Sequence, residues 1–255
     1  MISTDSYSDS AIEQPHLAKK IMMLTYGVVS YGIGVAGLGA IILLLAGLIP
    51  AGLFQVTSNT VVAVVINMGL VCLFGLQHSI MARSKFKLFF AKLFGVASER
   101  STFIWSSGVV SLILVCGWQN VDGVIWSVNS AISQTLMWIG FCFGWAYLLG
   151  ATFAINHWDL FGLRQVWLAA TGKVYSEPVF KENWMYRYSR HPIMVGVLIG
   201  IWIIPEMTAS KLVLSVSFTL YIFVGLWFEE RDLIRNLGET YLDYKRRVGM
   251  FITLR

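Results

Sequence analysis

Residues 186–232 read YRYSRHPIMVGVLIGIWIIPEMTASKLVLSVSFTLYIFVGLWFEERD. Between the charged ends lie 37 residues, 192–228, apolar except around Ile204-Pro205-Glu206. A membrane-crossing helix takes about 17–25 residues, so this run is too long for one crossing. Proline removes a helical donor and clashes with the preceding turn, and Glu206 is costly at membrane depth. The break predicts one helix over 192–204 and a second over 208–228. The first, 13 residues long, reaches about 20 Å at 1.5 Å per residue, which is short of a full span.

Four further apolar stretches, about 21–49, 60–82, 102–118 and 131–156, read as membrane helices. The composition agrees: of 255 residues, 56% are hydrophobic and only 13% charged, with a mean hydropathy of +0.68. Soluble domains carry about 25% charged residues, so a water-facing surface could hardly be covered. That excludes an ordinary soluble enzyme, a disordered chain and a disulfide scaffold. The fold class is therefore an all-α polytopic membrane helix bundle with about five to six membrane segments and a C-terminal helical hairpin.

Charge placement favours the hairpin over a single crossing. With residues 1–20 cytoplasmic and 192–228 folded back, 18 of the 19 Lys and Arg residues lie on one side, and only Lys211 lies outside. A single crossing would move the six basic residues beyond the run to the outside, against the positive-inside tendency. Both termini are then cytoplasmic. The formal net charge of +5 follows membrane orientation and calls for no nucleic acid. The first twenty residues are polar and read as a disordered cytoplasmic tail, leaving 21–255 as one membrane domain. KFKLFFAKLF at 85–94 reads as a basic amphipathic helix on the inner leaflet, a contact with membrane lipid. Glycines at 27, 32, 34, 37 and 39 suggest close packing of the first helix. Cys72, Cys116 and Cys142 sit in apolar runs without metal or CxxC spacing and read as buried free thiols. Four histidines, with His16 in the tail, leave no metal site at ligand spacing.

The hairpin brings Arg190 and His191 level with Glu229 and Glu230 at one membrane face. An interfacial ion-pair staple and a functional site are both open readings of that cluster. Pro192 suits the first helical position, where its missing N–H is no loss. His78 and His157 lie near helix ends on the same face, as structural residues or as a base that Asp159 orients.

Arg190-His191-Pro192, Gly196, the apolar hairpin, Glu229-Glu230, Leu237-Gly238, Tyr241 and Tyr244 together resemble the membrane methyltransferase superfamily, which includes isoprenylcysteine carboxyl and phospholipid N-methyltransferases. The likeness covers about 184–248. A narrower one rests on LQHSIMAR at 76–83, ERST at 99–102, NHWDLFGLRQVW at 156–167 and FEERDL at 228–233, which are similar to the bacterial methanethiol S-methyltransferases and the related NnrU family. Met250-Phe251-Ile252-Thr253 departs from it where a proline is expected, an effect confined to tail packing.

The resemblance implies S-adenosylmethionine as co-substrate, a small thiol as acceptor, dimethyl sulfide as product and the bacterial inner membrane as location. It implies Tyr188, Arg190, His191, Pro192, Gly196, Glu229, Glu230, Tyr241 and Tyr244 around the cofactor. Arg190 would meet the methionine carboxylate, and either glutamate the ammonium or the ribose hydroxyls. His157 with Asp159, then His78, are the catalytic bases to consider. Arg164 and Gln165 would hold the 157–190 loop over the site, and Trp105, Trp145, Trp158 and Trp227 would wall a pocket. The alternatives are a methyltransferase for a lipid amine or prenylcysteine carboxylate, and a non-enzymatic NnrU-like protein.

Overall fold

The computed structural model describes residues 16–176, 178 and 182–253. In chain order its elements are α1 (Leu17–Ala46), α2 (Thr60–Met81), α3 (Ser84–Phe94), α4 (Glu99–Gly117), β1 (Val124–Ser127), α5 (Ala131–Ile155), α6 (His157–Leu160), α7 (Leu163–Ala170), α8 (Pro192–Trp202), β2 (Glu206–Thr208), α9 (Ala209–Leu237) and α10 (Glu239–Arg247). Among the described residues, five helices are long and apolar enough to cross a membrane: α1, α2, the Val96–Gly117 stretch containing α4, α5 and α9. The protein is a polytopic helix bundle. Of the expected tail, residues 1–15 lie outside the described residues, while 17–20 already belong to α1.

Helices in lipid gain little from apolar burial against each other, so they associate where small residues let backbones touch. That governs two pairings. On α1, a Cβ at Gly37 would lie 2.6 Å from the Gly108 carbonyl of α4, and one at Gly34 would lie 2.5 Å from Ile104. Gly27 meets Val166 of α7, whereas Gly32 and Gly39 face open space, so only part of the glycine series packs. On α8, a Cβ at Gly196 would lie 2.6 Å from the Leu148 amide nitrogen of α5, and one at Gly144 would lie 2.7 Å from that of Gly200. Helix α8 thus packs chiefly on α5, and α9 packs on α2 through Phe74, Gly75, Phe218 and Tyr221.

The hairpin is stitched at its turn end, where Ser215 donates to the Ile201 carbonyl at 2.7 Å and the Trp202 indole to Thr219 at 2.9 Å. The first helix ends at Trp202, two residues short of the expected 204 and ahead of Pro205. The next residues then pair antiparallel with β1, Trp126 opposite Met207 and Ser127 opposite Glu206. This small ribbon was not anticipated, being too short for a two-residue period to register. Beside it, Asn67 and Gln119 exchange two hydrogen bonds of 2.9 and 2.8 Å across the buried core.

Two further expectations change. The second hairpin helix does not stop at 228 but continues to Leu237, because EERDLIRNL contains no breaker before Gly238 (φ +56). Glu229 and Glu230 are therefore helical residues. The cysteines are free but none is buried: Cys72 and Cys142 are exposed on the outer faces of their helices and Cys116 is half-buried. The basic segment after α2 is helical, with Phe86 and Phe90 packed on Met81, Phe103 and Ile104.

Candidate active site

The extension of α9 past the apolar run sets up the site. Gly238 turns the chain into α10, whose Tyr241 and Tyr244, three apart on one face, pack with Val248 on Leu233, Ile234 and Leu237. Glu230 on α9 is consequently buried, and donors from two segments, the start of α8 and α10, converge on it. Arg190 reaches its Oε1 through Nε at 2.7 Å and Nη2 at 2.5 Å. His191 Nε2 lies 3.3 Å from the same oxygen, Lys245 Nζ lies 2.7 Å from Oε2, and the Tyr241 hydroxyl donates to Oε1 at 3.5 Å. The Arg190 and Glu230 side chains are only 7% and 6% exposed. Arg190 Nη1 donates to the carbonyls of Val248 at 2.7 Å and Lys245 at 3.3 Å. Its guanidinium is committed within the protein, so the expected contact with a methionine carboxylate does not fit it.

Glu229, one residue earlier, is rotated about 100° around the helix and has a different fate. Its side chain is 53% exposed, with His191 Nδ1 3.9 Å away. The imidazole of His191 therefore lies between one committed and one accessible carboxylate. Burial, followed by the negative charge of Glu229, raises the Tyr186 phenol above its ordinary value. Tyr244 donates to the carbonyls of Tyr186 at 2.6 Å and Ser189 at 3.3 Å, and burial pushes its phenol up to about 12. Burial and then Glu230 likewise raise Tyr241. Opposite this cluster, the hydrogen bond from Arg247 holds the Glu182 carboxyl below the usual range.

The second group lies on α6. Asn156 caps that helix by accepting from the Asp159 amide at 3.2 Å, and Gly162, at φ +84, turns it into α7. Arg100 Nε donates to the Leu160 carbonyl at 2.7 Å and fixes the turn against α4. His157, 3% exposed, stacks on Phe153 with centroids 4.3 Å apart. Its Nδ1 lies 2.8 Å from the Thr152 hydroxyl and its Nε2 3.1 Å from that of Tyr31. Burial lowers its pKa, which favours the neutral ring. Asp159 does not orient it: that carboxylate accepts from Arg164 at 2.8 Å and Tyr175 at 3.2 Å. Gln165 donates to the Asp159 carbonyl at 3.0 Å, so Arg164 and Gln165 tie α7 to the α6 turn.

His78 on α2 has Nδ1 3.3 Å from Ser107 Oγ and its ring against Phe74 and Phe103. Register brings the end of α5 that precedes His157 level with the start of α8, and the Arg83–Asp232 ion pair brings the end of α2 that carries His78 level with the end of α9. Leu148 meets Gly196, so one helical turn further along α5, Ala151 and Thr152 come level with Pro192 in the antiparallel pair. Gly196 serves the α5–α8 contact, Pro192 opens α8, and Tyr188 is 60% exposed. No ring contact joins any two of Trp105, Trp145, Trp158 and Trp227 among the described residues. Two cavities of about 560 and 190 Å³ open at the opposite end, near Asn120, and no predicted site residue lines them.

Sequence reasoning missed Lys245, Tyr186, Thr152 and Tyr31. Lys245 shares the α10 face of Tyr241 at four-residue spacing and could have been found. Thr152 and Tyr31 are polar residues in apolar runs with no local pattern to single them out.

The NnrU protein family model matches residues 65–250, nearly all of the elements just described. The chain belongs to the NnrU family. It is 44% identical to a methanethiol S-methyltransferase of Mycobacterium tuberculosis over 74% of this chain and 78% of that one. It is 41% identical to methanethiol S-methyltransferase 1 of Bradyrhizobium diazoefficiens over 78% and 70% of the two chains. A methanethiol S-methyltransferase of Crocosphaera subtropica is 39% identical over 76% of each. No solved structure matches the chain.

Proposed function

We propose that the protein is an S-adenosylmethionine-dependent S-methyltransferase that methylates methanethiol, or a similarly small thiol such as hydrogen sulfide, at the cytoplasmic face of a bacterial inner membrane. The observation that carries this reading is the asymmetry of the glutamate pair. Glu230 is saturated by internal donors, while Glu229 stays accessible beside His191. An accessible carboxylate next to a buried imidazole fits the ammonium end of an amino-acid cofactor, and methyltransferase names among the relatives support the same donor. Apart from Lys211, every described Lys and Arg lies at the end of the bundle that holds the site, and the positive-inside tendency assigns that end to the cytoplasm.

S-adenosylmethionine, when bound, would supply a sulfonium-activated methyl carbon, to which a thiolate sulfur would bond in line as the bond to the departing S-adenosylhomocysteine breaks. The chain's share is positioning and proton removal. Glu229 and His191 would hold the polar end of the cofactor, and Glu230 fixes Arg190 and His191 by hydrogen bonds. A small thiol has a pKa above neutrality, close to the ~8.5 of cysteine, so a proton acceptor speeds its attack. His157, kept neutral by burial, takes that proton at Nε2 through the hydroxyl of Tyr31, 3.1 Å away, while the Thr152 hydroxyl, which donates to the Leu149 carbonyl at 2.7 Å, accepts from Nδ1. The wall of Phe153 and Phe161 excludes water and strengthens the attraction between thiolate and sulfonium.

Headspace gas chromatography of the purified protein with S-adenosylmethionine and methanethiol tests the reading, beside Glu229→Gln. Dimethyl sulfide from the wild type and a large loss in the variant are expected. Cofactor binding without dimethyl sulfide would move the acceptor to a lipid amine or prenylcysteine carboxylate. Absence of binding by calorimetry would refute an enzyme of this class and favour a non-enzymatic membrane protein.

A further inference from the structure

We propose that the C-terminal segment Val248–Thr253 is a strap that positions Arg190 and His191, with Phe251 as its anchor. The inference rests on the cofactor reading above for its catalytic consequence, but not for its geometry.

Six hydrogen bonds define the strap. The Arg190 amide donates to the Gly249 carbonyl at 3.0 Å and the His191 amide to the Met250 carbonyl at 3.2 Å. Ser189 Oγ donates to the Met250 carbonyl at 3.2 Å. In the other direction, the Thr253 amide and hydroxyl both donate to the Tyr188 carbonyl, at 2.9 and 2.8 Å. The Gly249 amide donates to Thr253 Oγ1 at 2.9 Å and closes the turn. A Cβ at Gly249 would collide with the Ile252 carbonyl, so the turn admits no side chain there. At the tip, Phe251 sets its ring edge-on against Phe223 of α9, with centroids 5.6 Å apart and planes at 83°.

The strap is not needed to dock α10. Tyr241, Tyr244 and Val248 already bury themselves on Leu233, Ile234 and Leu237, and Lys245 reaches Glu230. Beyond Val248, the hydrogen bonds and the ring contact of the segment run to Tyr188–His191, to Phe223 and within the strap itself. It therefore spans the two hairpin helices at the one place where His191 must be held between Glu229 and Glu230. Phe251 ties the strap to α9, and the strap carbonyls fix the backbone at the start of α8. Phe251 is a positioning residue, acting through Arg190 and His191.

The test uses the full chain in detergent, with Phe251→Ala, Phe251→Leu and Gly249→Val. Hydrogen–deuterium exchange over 189–191 reads the strap directly, and kinetics read its consequence. Loss of an edge-to-face aromatic pair predicts about fivefold faster exchange at the Arg190 and His191 amides in Phe251→Ala. The KM for S-adenosylmethionine rises by about the same factor, with kcat and the KM for methanethiol unchanged. Leucine restores part of both, and Gly249→Val matches or exceeds the alanine effect. Unaltered exchange in both Phe251→Ala and Gly249→Val overturns the strap. Faster exchange with an unaltered KM overturns its link to the cofactor. A wild type that transfers no methyl group refutes the proposed function alone, because the exchange measurement still decides the strap.

Discussion

Replacing Glu230 by glutamine separates two adjacent carboxylates that the sequence presents as equals. The amide keeps the shape of the side chain and removes the charge that Arg190 and Lys245 share. Lys245 is 41% exposed, so its ammonium turns to water and that pair contributes no more than about 1 kcal/mol. Arg190 has no such escape, its side chain being 7% exposed. Removing one partner of a buried pair typically costs about 3–5 kcal/mol. The carbonyls of Val248 and Lys245 still receive Nη1, which places the expected loss near the lower end, about 3 kcal/mol. For a chain of this size that is a fall of about 6–12 °C in the thermal midpoint. Intrinsic tryptophan fluorescence during heating in detergent reads it. Glu229→Gln, at a half-exposed position, should shift the midpoint by less than about 2 °C while abolishing most S-adenosylmethionine binding. A double Arg190→Gln/Glu230→Gln variant should lose less than the sum of the two single changes. Equal midpoints for the two glutamate variants, or a larger fall for Glu229→Gln, would refute the division of labour.

Gly196→Leu should abolish the folded peak on detergent size-exclusion, since a Cβ there already falls 2.6–2.8 Å from atoms of Leu148 and overpacking costs at least about 1–3 kcal/mol. Gly32→Leu, facing open space on α1, should elute as the wild type does. Stability should also fall on the acid side through His157. Burial depresses its folded pKa, so the contribution of the neutral ring is fully present above the unfolded value of about 6.5 and is lost as pH drops through the folded value. His157→Gln should flatten the decline in thermal midpoint between pH 7.5 and 5, and an unchanged slope would count against this account.

The sequence was enough for the membrane spans because each is a local property. A run such as 131–156 is apolar over the bilayer thickness whatever it packs against. The fold-back at Pro205 was equally legible, since proline and Glu206 break the helix from within their own segment, and charge placement chose between one crossing and two. The grouping of Arg190 and His191 with the two glutamates followed from the hairpin alone.

What the sequence could not rank is which member of each pair is committed. Glu229 and Glu230 are chemically identical, and only the docking of α10 through Tyr241 and Tyr244 buries one and leaves the other accessible. Asp159 stands two residues from His157, yet three-dimensional packing gives it to Arg164 and Tyr175 and gives the imidazole to Thr152 and Tyr31. The C-terminal strap gave no local signal either, because its partners lie some 60 residues earlier in the chain. Local chemistry thus determines where this chain enters and leaves the bilayer. Long-range packing decides which polar groups are spent on the fold and which stay available for chemistry, because a hydrogen bond or an ion pair depends on the distance between groups in space, and their spacing along the chain does not set that distance.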